Sequence, residues 1–116
     1  MEIIRKDEGV KGENSKNCRT IEYSFKNKEM DLGIAVITAR YPEKENEYCM
    51  NTKSTELIYV LEGSGKLQFE DKEVKFFMGD TILISPNEKY AWITDYCKVS
   101  MICTPAWTNS QHKIVN

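Results

Sequence analysis

The sequence is poor in the features that mark membrane and secreted proteins. No apolar run approaches the roughly 18 residues that a membrane-spanning segment requires, and the first residues, MEIIRKDEGV, lack the apolar core of a signal peptide. There is one histidine in 116 residues, and the three prolines and six glycines are scattered. We therefore expect a cytoplasmic protein with no membrane partner.

The sequence also lacks a large excess of either positive or negative charge. Sixteen Lys and Arg residues face eighteen Asp and Glu residues, which gives a net charge of −2, and the two signs are interspersed along the chain. A nucleic-acid-binding domain normally carries a basic patch or stripe, because phosphate contacts dominate its affinity. The sequence therefore predicts no nucleic-acid partner.

The four cysteines show no spacing that indicates a disulfide framework or a zinc site. Cys18, Cys49, Cys97 and Cys103 include no CxxC pair, and thiols stay reduced in a cytoplasmic compartment. We expect Cys97 and Cys103 to be small core residues.

What the sequence does contain is a series of short runs typical of strands. Apolar and polar residues alternate, or β-branched and aromatic residues cluster, between Gly, Pro, Asn, Asp and Lys. Strands are predicted at residues 20–25, 32–41, 47–51, 55–62, 66–70, 72–77, 81–85, 90–94 and 98–103, with a weaker one at 2–5 and a polar loop at 8–17. Many short strands joined by tight turns, such as the Gly-containing turn at 62–65, indicate one antiparallel sandwich or barrel.

One carboxylate stands out, because Glu56 opens the apolar run ELIYVLEGSG. If residues 47–51 and 55–62 form a hairpin, Cys49 and Asn51 share a face and meet Glu56 on the opposing strand. An unpaired ionised carboxylate on such a strand would cost several kcal/mol. Glu56 therefore needs a hydrogen-bond partner, a cation, a raised pKa or a polar pocket.

Two motifs resemble those of the cupin superfamily of small β-barrels. In the first family motif, two histidines separated by one residue precede a glutamate, which is followed by six residues and a glycine; here Glu56 is followed by six residues and Gly63. The second, Gly-Asp before an apolar strand and a proline turn, is similar to GDTILISPN at 79–87. The resemblance covers roughly residues 32–105 and implies an all-β fold, the antiparallel double-stranded β-helix or jelly roll.

The resemblance also implies a division of the chain and a site. Residues 1–19 would be an N-terminal strand or arm, 20–106 the barrel and 107–116 a C-terminal tail outside it. The family's three histidine positions hold Cys49, Asn51 and Tyr90, whose amide and phenol groups are poor ligands for transition metals. We therefore expect neither a metal nor another cofactor, and a ligand pocket lined by Cys49, Asn51, Glu56 and Tyr90.

Several functions stay open at this level. The preferred hypothesis is a barrel that binds a small polar metabolite of sugar or carboxylate type. The alternatives are a metal-independent sugar isomerase or epimerase with Glu56 as base and Tyr90 as acid on opposite faces of the substrate, a metal enzyme with a non-standard Cys49 and Glu56 site that His112 folds back to complete, and a structural module. His112 is expected at the surface, and strands apolar on both faces, as at 76–78, predict a homodimer.

Overall fold

A computed structural model describes all residues, 1–116, and it is almost entirely β-structure. The strands are β1 (Val10–Ser15), β2 (Cys18–Tyr23), β3 (Asp31–Ile37), β4 (Tyr48–Asn51), β5 (Thr55–Gln68), β6 (Glu73–Phe77), β7 (Thr81–Ile84), β8 (Ala91–Thr104) and β9 (His112–Val115). Two short 3-10 helices span Lys6–Glu8 and Asn109–Gln111. None of the helical segments has the length and apolar character needed to cross a membrane. The predicted all-β fold is confirmed.

The strands form two antiparallel sheets. The larger sheet has seven strands in the order β1-β2-β3-β8-β5-β6, with β7 also paired to β5, and the smaller sheet consists of β4 and β9. Isolated bridges from Tyr41 to Trp92 and from Cys49 to Tyr90 connect the β4 region to β8. This arrangement of antiparallel strands around one core is the jelly-roll barrel that the sequence predicts.

Two long strands replace four of the predicted short ones. β5 and β8 each run for 14 residues, so 55–62 and 66–70 belong to one strand, as do 90–94 and 98–103. The predicted turn at 62–65 is therefore wrong. The chain instead passes through two register shifts against β8, between Val60 and Glu62 and between Ser64 and Lys66. Such β-bulges bend a strand without ending it, which lets β5 curve around the barrel.

Gly63 makes the bend in β5 possible. Its φ of +81° lies in the left-handed region, and a Cβ at this position would lie 2.2 Å from the carbonyl oxygen of Tyr96. Gly79 has a similar φ of +93°, but a Cβ there would meet no atom within 4 Å. We expect Gly63→Ala to destabilise the fold by about 2 kcal/mol through backbone strain and collision with β8.

Gly79→Ala is the matched control, since it adds a similar backbone strain without the collision. It should destabilise the protein by no more than about 1 kcal/mol. Chemical denaturation of the two variants and of wild type measures the difference. Equal losses of unfolding free energy in both variants would show that the close approach of Gly63 to β8 is unimportant.

The two ends of the chain differ from the prediction. The expected strand at 2–5 is absent, and the expected loop at 8–17 contains β1, which pairs along β2 from Val10 opposite Glu22 to Ser15 opposite Cys18. Pairing with β2 provides hydrogen-bond partners for the backbone of this polar segment. Because its side chains are mostly exposed, its composition does not predict a strand. The C-terminal tail expected outside the barrel forms β9, which pairs with β4.

The core lies between the inward faces of the sheets. It includes Ile58, Val60, Phe76, Trp92 and Val99, all at most 3% exposed. Cys97 and Cys103 are buried, as predicted, and all four cysteines are free thiols. The outward faces of several strands keep large apolar side chains in solvent, among them Leu57, Tyr59, Phe77, Met78 and Leu83.

Candidate functional site

A cavity of about 60 Å³ opens inside the barrel beside Glu56. It exists because β2, β3 and β8 carry small residues on their inward faces: Cys18, Thr20, Gly33, Ala35 and Cys103 all line it. One water molecule needs about 10–15 Å³ of accessible space, so a cavity of this volume can hold several. The cavity can therefore receive polar groups of a small ligand.

Glu56 is the buried carboxylate of this cavity. It is only 4% exposed, and it lies opposite Cys103 on β8 and Ile84 on β7. Its Oε1 accepts two hydrogen bonds, from Asn51 Nδ2 at 2.7 Å and from the Tyr90 hydroxyl at 2.6 Å. Asn51, Glu56 and Tyr90 thus converge, and all three line the cavity.

The second oxygen of Glu56 has no protein partner. Every hydrogen bond that the carboxylate accepts falls on Oε1, and Oε2 is not among the fully enclosed atoms that lack a partner. Oε2 is therefore open to the cavity. Burial raises the pKa of Glu56 above its usual value, while the hydrogen bonds from Tyr90 and Asn51 lower it.

Asn51 is the hub of a hydrogen-bond network with a fixed direction. Its Oδ1 accepts from Trp107 Nε1 at 3.1 Å and contacts His112 Nδ1 at 2.9 Å. An indole N–H can only donate, so the oxygen of the Asn51 amide faces the two rings and the nitrogen faces Glu56. Asn51 therefore connects the two rings of the C-terminal segment to the Glu56 carboxylate by hydrogen bonds.

The network also fixes the tautomer of His112. Because Asn51 Oδ1 is an acceptor, His112 Nδ1 carries the proton, and Nε2 accepts from the Tyr41 hydroxyl at 2.8 Å. Burial lowers the pKa of His112, which keeps the ring neutral. The predicted surface position of His112 is wrong: its ring lines the cavity and lies parallel to that of Tyr41.

Gln111 holds the C-terminal segment against the barrel. It is 2% exposed, and its Oε1 accepts from the backbone nitrogens of Lys53 and Ser54 at 3.1 and 2.8 Å. Its Nε2 donates to the Ser54 hydroxyl, which in turn donates to the carbonyl of Pro105. These bonds place the following residue, His112, opposite Asn51 in the β4–β9 pair.

Sequence reasoning misses this part of the site. The predicted hairpin between 47–51 and 55–62 is wrong, because β4 pairs with β9 and β5 pairs with β6, β7 and β8. Asn51 nevertheless reaches Glu56 across the short connection between β4 and β5. The only signal for this part of the site in the sequence is the residue type: Trp107 and His112 are the two residues of the C-terminal segment whose side chains carry ring nitrogens.

Cys49 lies behind the cavity and not in its wall. It is 0% exposed, its Sγ donates to the backbone carbonyl of Tyr90 at 3.3 Å, and the cavity lining does not include it. Burial raises the pKa of Cys49, which keeps the thiol protonated and unreactive. The structure therefore places three of the four predicted pocket residues at the cavity, without Cys49.

Tyr90 cannot stand across a substrate from Glu56, as the isomerase hypothesis requires. Its hydroxyl donates to Glu56 itself, and burial raises the pKa of Tyr90 well above the usual value for a phenol. Tyr90 is therefore a partner of the carboxylate on the same wall of the cavity. This correction removes the predicted acid of that mechanism.

The rest of the cavity wall is aromatic and acidic. Trp92, Trp107 and Tyr41 supply ring faces and edges, and Glu22 and Asp31 supply two further carboxylates. Burial raises the pKa of both carboxylates, and the charge of Asp31 raises that of Glu22. No lysine or arginine lines the cavity, so Glu22, Asp31 and Glu56 meet no cationic side chain in its wall.

The metal ion that many cupins carry does not fit these residues. The three family histidine positions present a buried protonated thiol at Cys49, an amide nitrogen turned toward Glu56 at Asn51, and a phenol that donates to Glu56 at Tyr90. Two of these groups point hydrogens, and not lone pairs, at the carboxylate. No three His, Cys, Asp or Glu side chains are grouped so that they could hold a metal ion.

Comparisons with known proteins agree with the barrel. The family model described as the AraC-like ligand binding domain matches residues 31–95. Among curated protein sequences, no significant match was found.

Many solved structures share the fold at low sequence identity. A variant of Streptomyces PAC13 with uridine has a TM-score of 0.82 at 14% identity, and the alignment covers 100% of this chain and 91% of that chain. Another structure of Pac13, described as a nucleoside dehydratase, has a TM-score of 0.81 at 14% identity, with 100% of this chain and 92% of that chain covered. Ectoine synthase from P. lautus has a TM-score of 0.75 at 15% identity, with 100% and 91% covered. KdgF from Halomonas sp. has 0.68 at 10%, with 90% and 94% covered. At these identities the similarity shows the fold alone.

Proposed function

Because the chain belongs to the AraC-like ligand binding domain family, a group of cupin-type barrels, we propose that it binds a small hydroxylated metabolite at Glu56 without a catalytic metal. The observation that carries the proposal is the free Oε2 of a carboxylate that is only 4% exposed and faces a cavity. A buried acceptor without a partner is unfavourable, and a ligand hydroxyl that donates to it would form a charge-assisted hydrogen bond.

The acidic wall favours a ligand of sugar type over one of carboxylate type. An anionic ligand would meet Glu56, Glu22 and Asp31 with no lysine or arginine in the cavity lining to balance the charge. Hydroxyl groups can donate to the same oxygens, and the faces of Trp92 and Trp107 can pack against the apolar side of a ring. The uridine in structures of Streptomyces PAC13, an uncharged hydroxylated molecule, supports this choice by analogy of fold.

A thermal-shift panel in the presence of EDTA tests the proposal. The compounds are neutral sugars, nucleosides, sugar phosphates and small carboxylic acids, each at millimolar concentration. We expect neutral hydroxylated compounds to raise the melting temperature and the acids to have no effect, since binding to the native state alone stabilises it. Stabilisation only by the acids, or only after metal is added, would contradict the proposal.

A metal-independent isomerase or epimerase is the alternative that one observation favours. The raised pKa of Glu56 suits a general base, and the Tyr41 hydroxyl lines the same cavity beside a neutral His112. The Tyr41 hydroxyl, however, already donates to His112 Nε2, and burial raises the pKa of Tyr41, so this alternative has a candidate base but no placed acid. Turnover of a sugar that survives in Glu56→Gln would rule this alternative out.

We also propose that the barrel forms a homodimer through the outer face of β5, β7 and β8. Leu57 pairs with Leu83 on one side and Ile102 on the other, and the outward positions around these three carry no charge. Lys98 and Glu62 form an ion pair at the border, so two copies related by a two-fold axis would each present both signs. A second copy could therefore cover the face without burying an unpaired charge.

Leu83→Asp should separate such a dimer. Leu83 is 66% exposed, so the change would leave the protomer folded while placing a charge in the dimer interface. Light scattering after size-exclusion chromatography would give the dimer mass for wild type and the 13.5 kDa protomer mass for the variant. A wild type that elutes as a monomer at high concentration would contradict the dimer. We further propose a cytoplasmic location, with which four free thiols agree.

A further inference from the structure

Two acidic side chains that the Glu56 site does not use line the other part of the cavity. Asp31 on β3 lies opposite Cys103 on β8, and Cys103 lies opposite Glu56 on β5. Glu22 on β2 lies opposite Gly33 on β3. Since neighbouring strands are about 4.8 Å apart, the backbones of Asp31 and Glu56 are separated by about 10 Å across the sheet.

The space between these carboxylates is left open by small residues. Gly33 has no side chain, and a Cβ there would make ordinary van der Waals contact, at 3.8 Å, with the end of the flexible Met101 side chain. Cys103 fills only part of the row between Asp31 and Glu56. A ligand held by Glu56 can therefore extend along the cavity to Glu22 and Asp31.

Neither carboxylate has a cationic partner. Glu22 takes part in no hydrogen bond or ion pair through its side chain, and Asp31 Oδ2 accepts from the backbone nitrogen of Trp107 at 3.0 Å. Burial raises the pKa of Asp31, and the charge of Lys28 only partly offsets this effect; Lys28 itself forms no ion pair and is exposed. The two acids thus line the cavity without an ion-pair partner.

A cation in the cavity would change this balance. Two half-buried carboxylates repel each other and the charge of Glu56, and a positive charge near them favours their ionised form. Trp107 and Trp92 line the same cavity, and aromatic faces attract organic cations. An ammonium group has the charge and the hydrogens to satisfy both acids at once.

We propose that Glu22 and Asp31 form an amine subsite, so that the metabolite bound at Glu56 carries a protonated amine as well as hydroxyl groups. This inference rests on the proposed function of Glu56 and adds the substrate class to it: a hydroxylated amine, such as an amino sugar or an amino alcohol. Glu56 holds the hydroxyl end, and the amine subsite selects against the uncharged analogue.

NMR titration of the 13.5 kDa protein with two matched pairs of probes tests the amine subsite. The pairs are glucosamine with glucose and 3-amino-1,2-propanediol with glycerol, in EDTA and at low salt. We expect each amine to bind at least about tenfold more tightly than its uncharged partner, with the largest backbone shifts near Glu22 and Asp31. Raising the salt concentration should reduce this preference.

The double variant Glu22→Gln with Asp31→Asn provides the decisive control. Both changes keep the side-chain shape, and the amide oxygen at position 31 can still accept from Trp107. The variant should be at least as stable as wild type, because it removes two poorly solvated charges, and it should bind the amine and the uncharged probe of each pair equally.

The outcomes separate the two proposals. Equal affinity for amine and uncharged probes in wild type, or an amine preference that persists in the double variant, would overturn the amine subsite and leave the Glu56 site standing. Absence of saturable binding by all four probes would overturn both. Binding that Glu56→Gln leaves unchanged would overturn the role of Glu56 in holding the hydroxyl end.

Discussion

Glu56→Gln should weaken ligand binding by about ten- to a hundredfold while the barrel stays folded. The glutamine oxygen can take the place of Oε1 and accept from Asn51 and Tyr90, as it does in wild type. Its NH₂ group then occupies the position of Oε2 and presents hydrogens to the cavity. A ligand hydroxyl loses an ionised acceptor, worth about 1.5–3 kcal/mol, and meets a donor instead.

Glu62→Gln is the matched control on the same strand. Glu62 is exposed and binds Tyr96 and Lys98 at the surface, so its loss of charge should leave the affinity unchanged. Calorimetric titration with the compound identified in the thermal-shift panel measures both variants. Wild-type affinity in Glu56→Gln would remove Glu56 from the site.

Glu56→Gln has a second expected effect, on the pH dependence of stability. Because the pKa of Glu56 is higher in the folded state than in the unfolded state, the folded state binds more protons and loses stability as the pH rises through that pKa. Glu56→Gln lacks this loss. We therefore expect the variant to gain stability relative to wild type between acid and neutral pH, as measured by urea unfolding at several pH values.

Asn51→Leu should destabilise the protein by about 3–5 kcal/mol. Asn51 is 4% exposed and satisfies groups on three residues, Glu56, Trp107 and His112. Leucine is similar in size but leaves both ring N–H groups without an acceptor and removes one donor from the buried carboxylate. Urea unfolding measures the loss, and faster hydrogen exchange in β9 would show that the C-terminal segment has become detached.

Asn51→Asp distinguishes the hub from a packing effect. The introduced carboxyl keeps an acceptor for the two rings, but it puts a second acid within 2.7 Å of Glu56. Near pH 5 one shared proton can restore the bond, whereas at pH 8 two like charges repel each other. Stability of this variant should fall with rising pH more steeply than that of wild type, and a pH-independent loss would contradict the network.

The fold and the carboxylate were predictable because their signals are local. Period-two alternation and turn residues predict strands wherever a sheet covers one face. The cupin-type barrel was expected because the residues from Glu56 to Gly63 resemble the first motif of that family. The bend at Gly63 was not predictable as a bulge, since a glycine after an apolar run is equally typical of a hairpin turn. Only the contact with Tyr96 on β8 distinguishes the two.

The other half of the site depends on contacts between distant parts of the chain. His112 reaches Asn51 across 61 positions and Tyr41 across 71, and no local pattern in a ten-residue polar segment predicts such pairing. The same limit explains the wrong hairpin between 47–51 and 55–62. β4 finds its partner in β9, which lies beyond all the strands of the larger sheet in the sequence.

Elemental analysis tests the central claim, a Glu56 site that works without a metal. Wild type and Glu56→Ala would be purified without an affinity tag and without added metal, and their Zn, Fe, Mn and Ni contents measured per protomer. We predict contents far below one equivalent that do not change with the substitution. Near-stoichiometric metal in wild type that disappears in Glu56→Ala would contradict the account and make Glu56 a metal ligand.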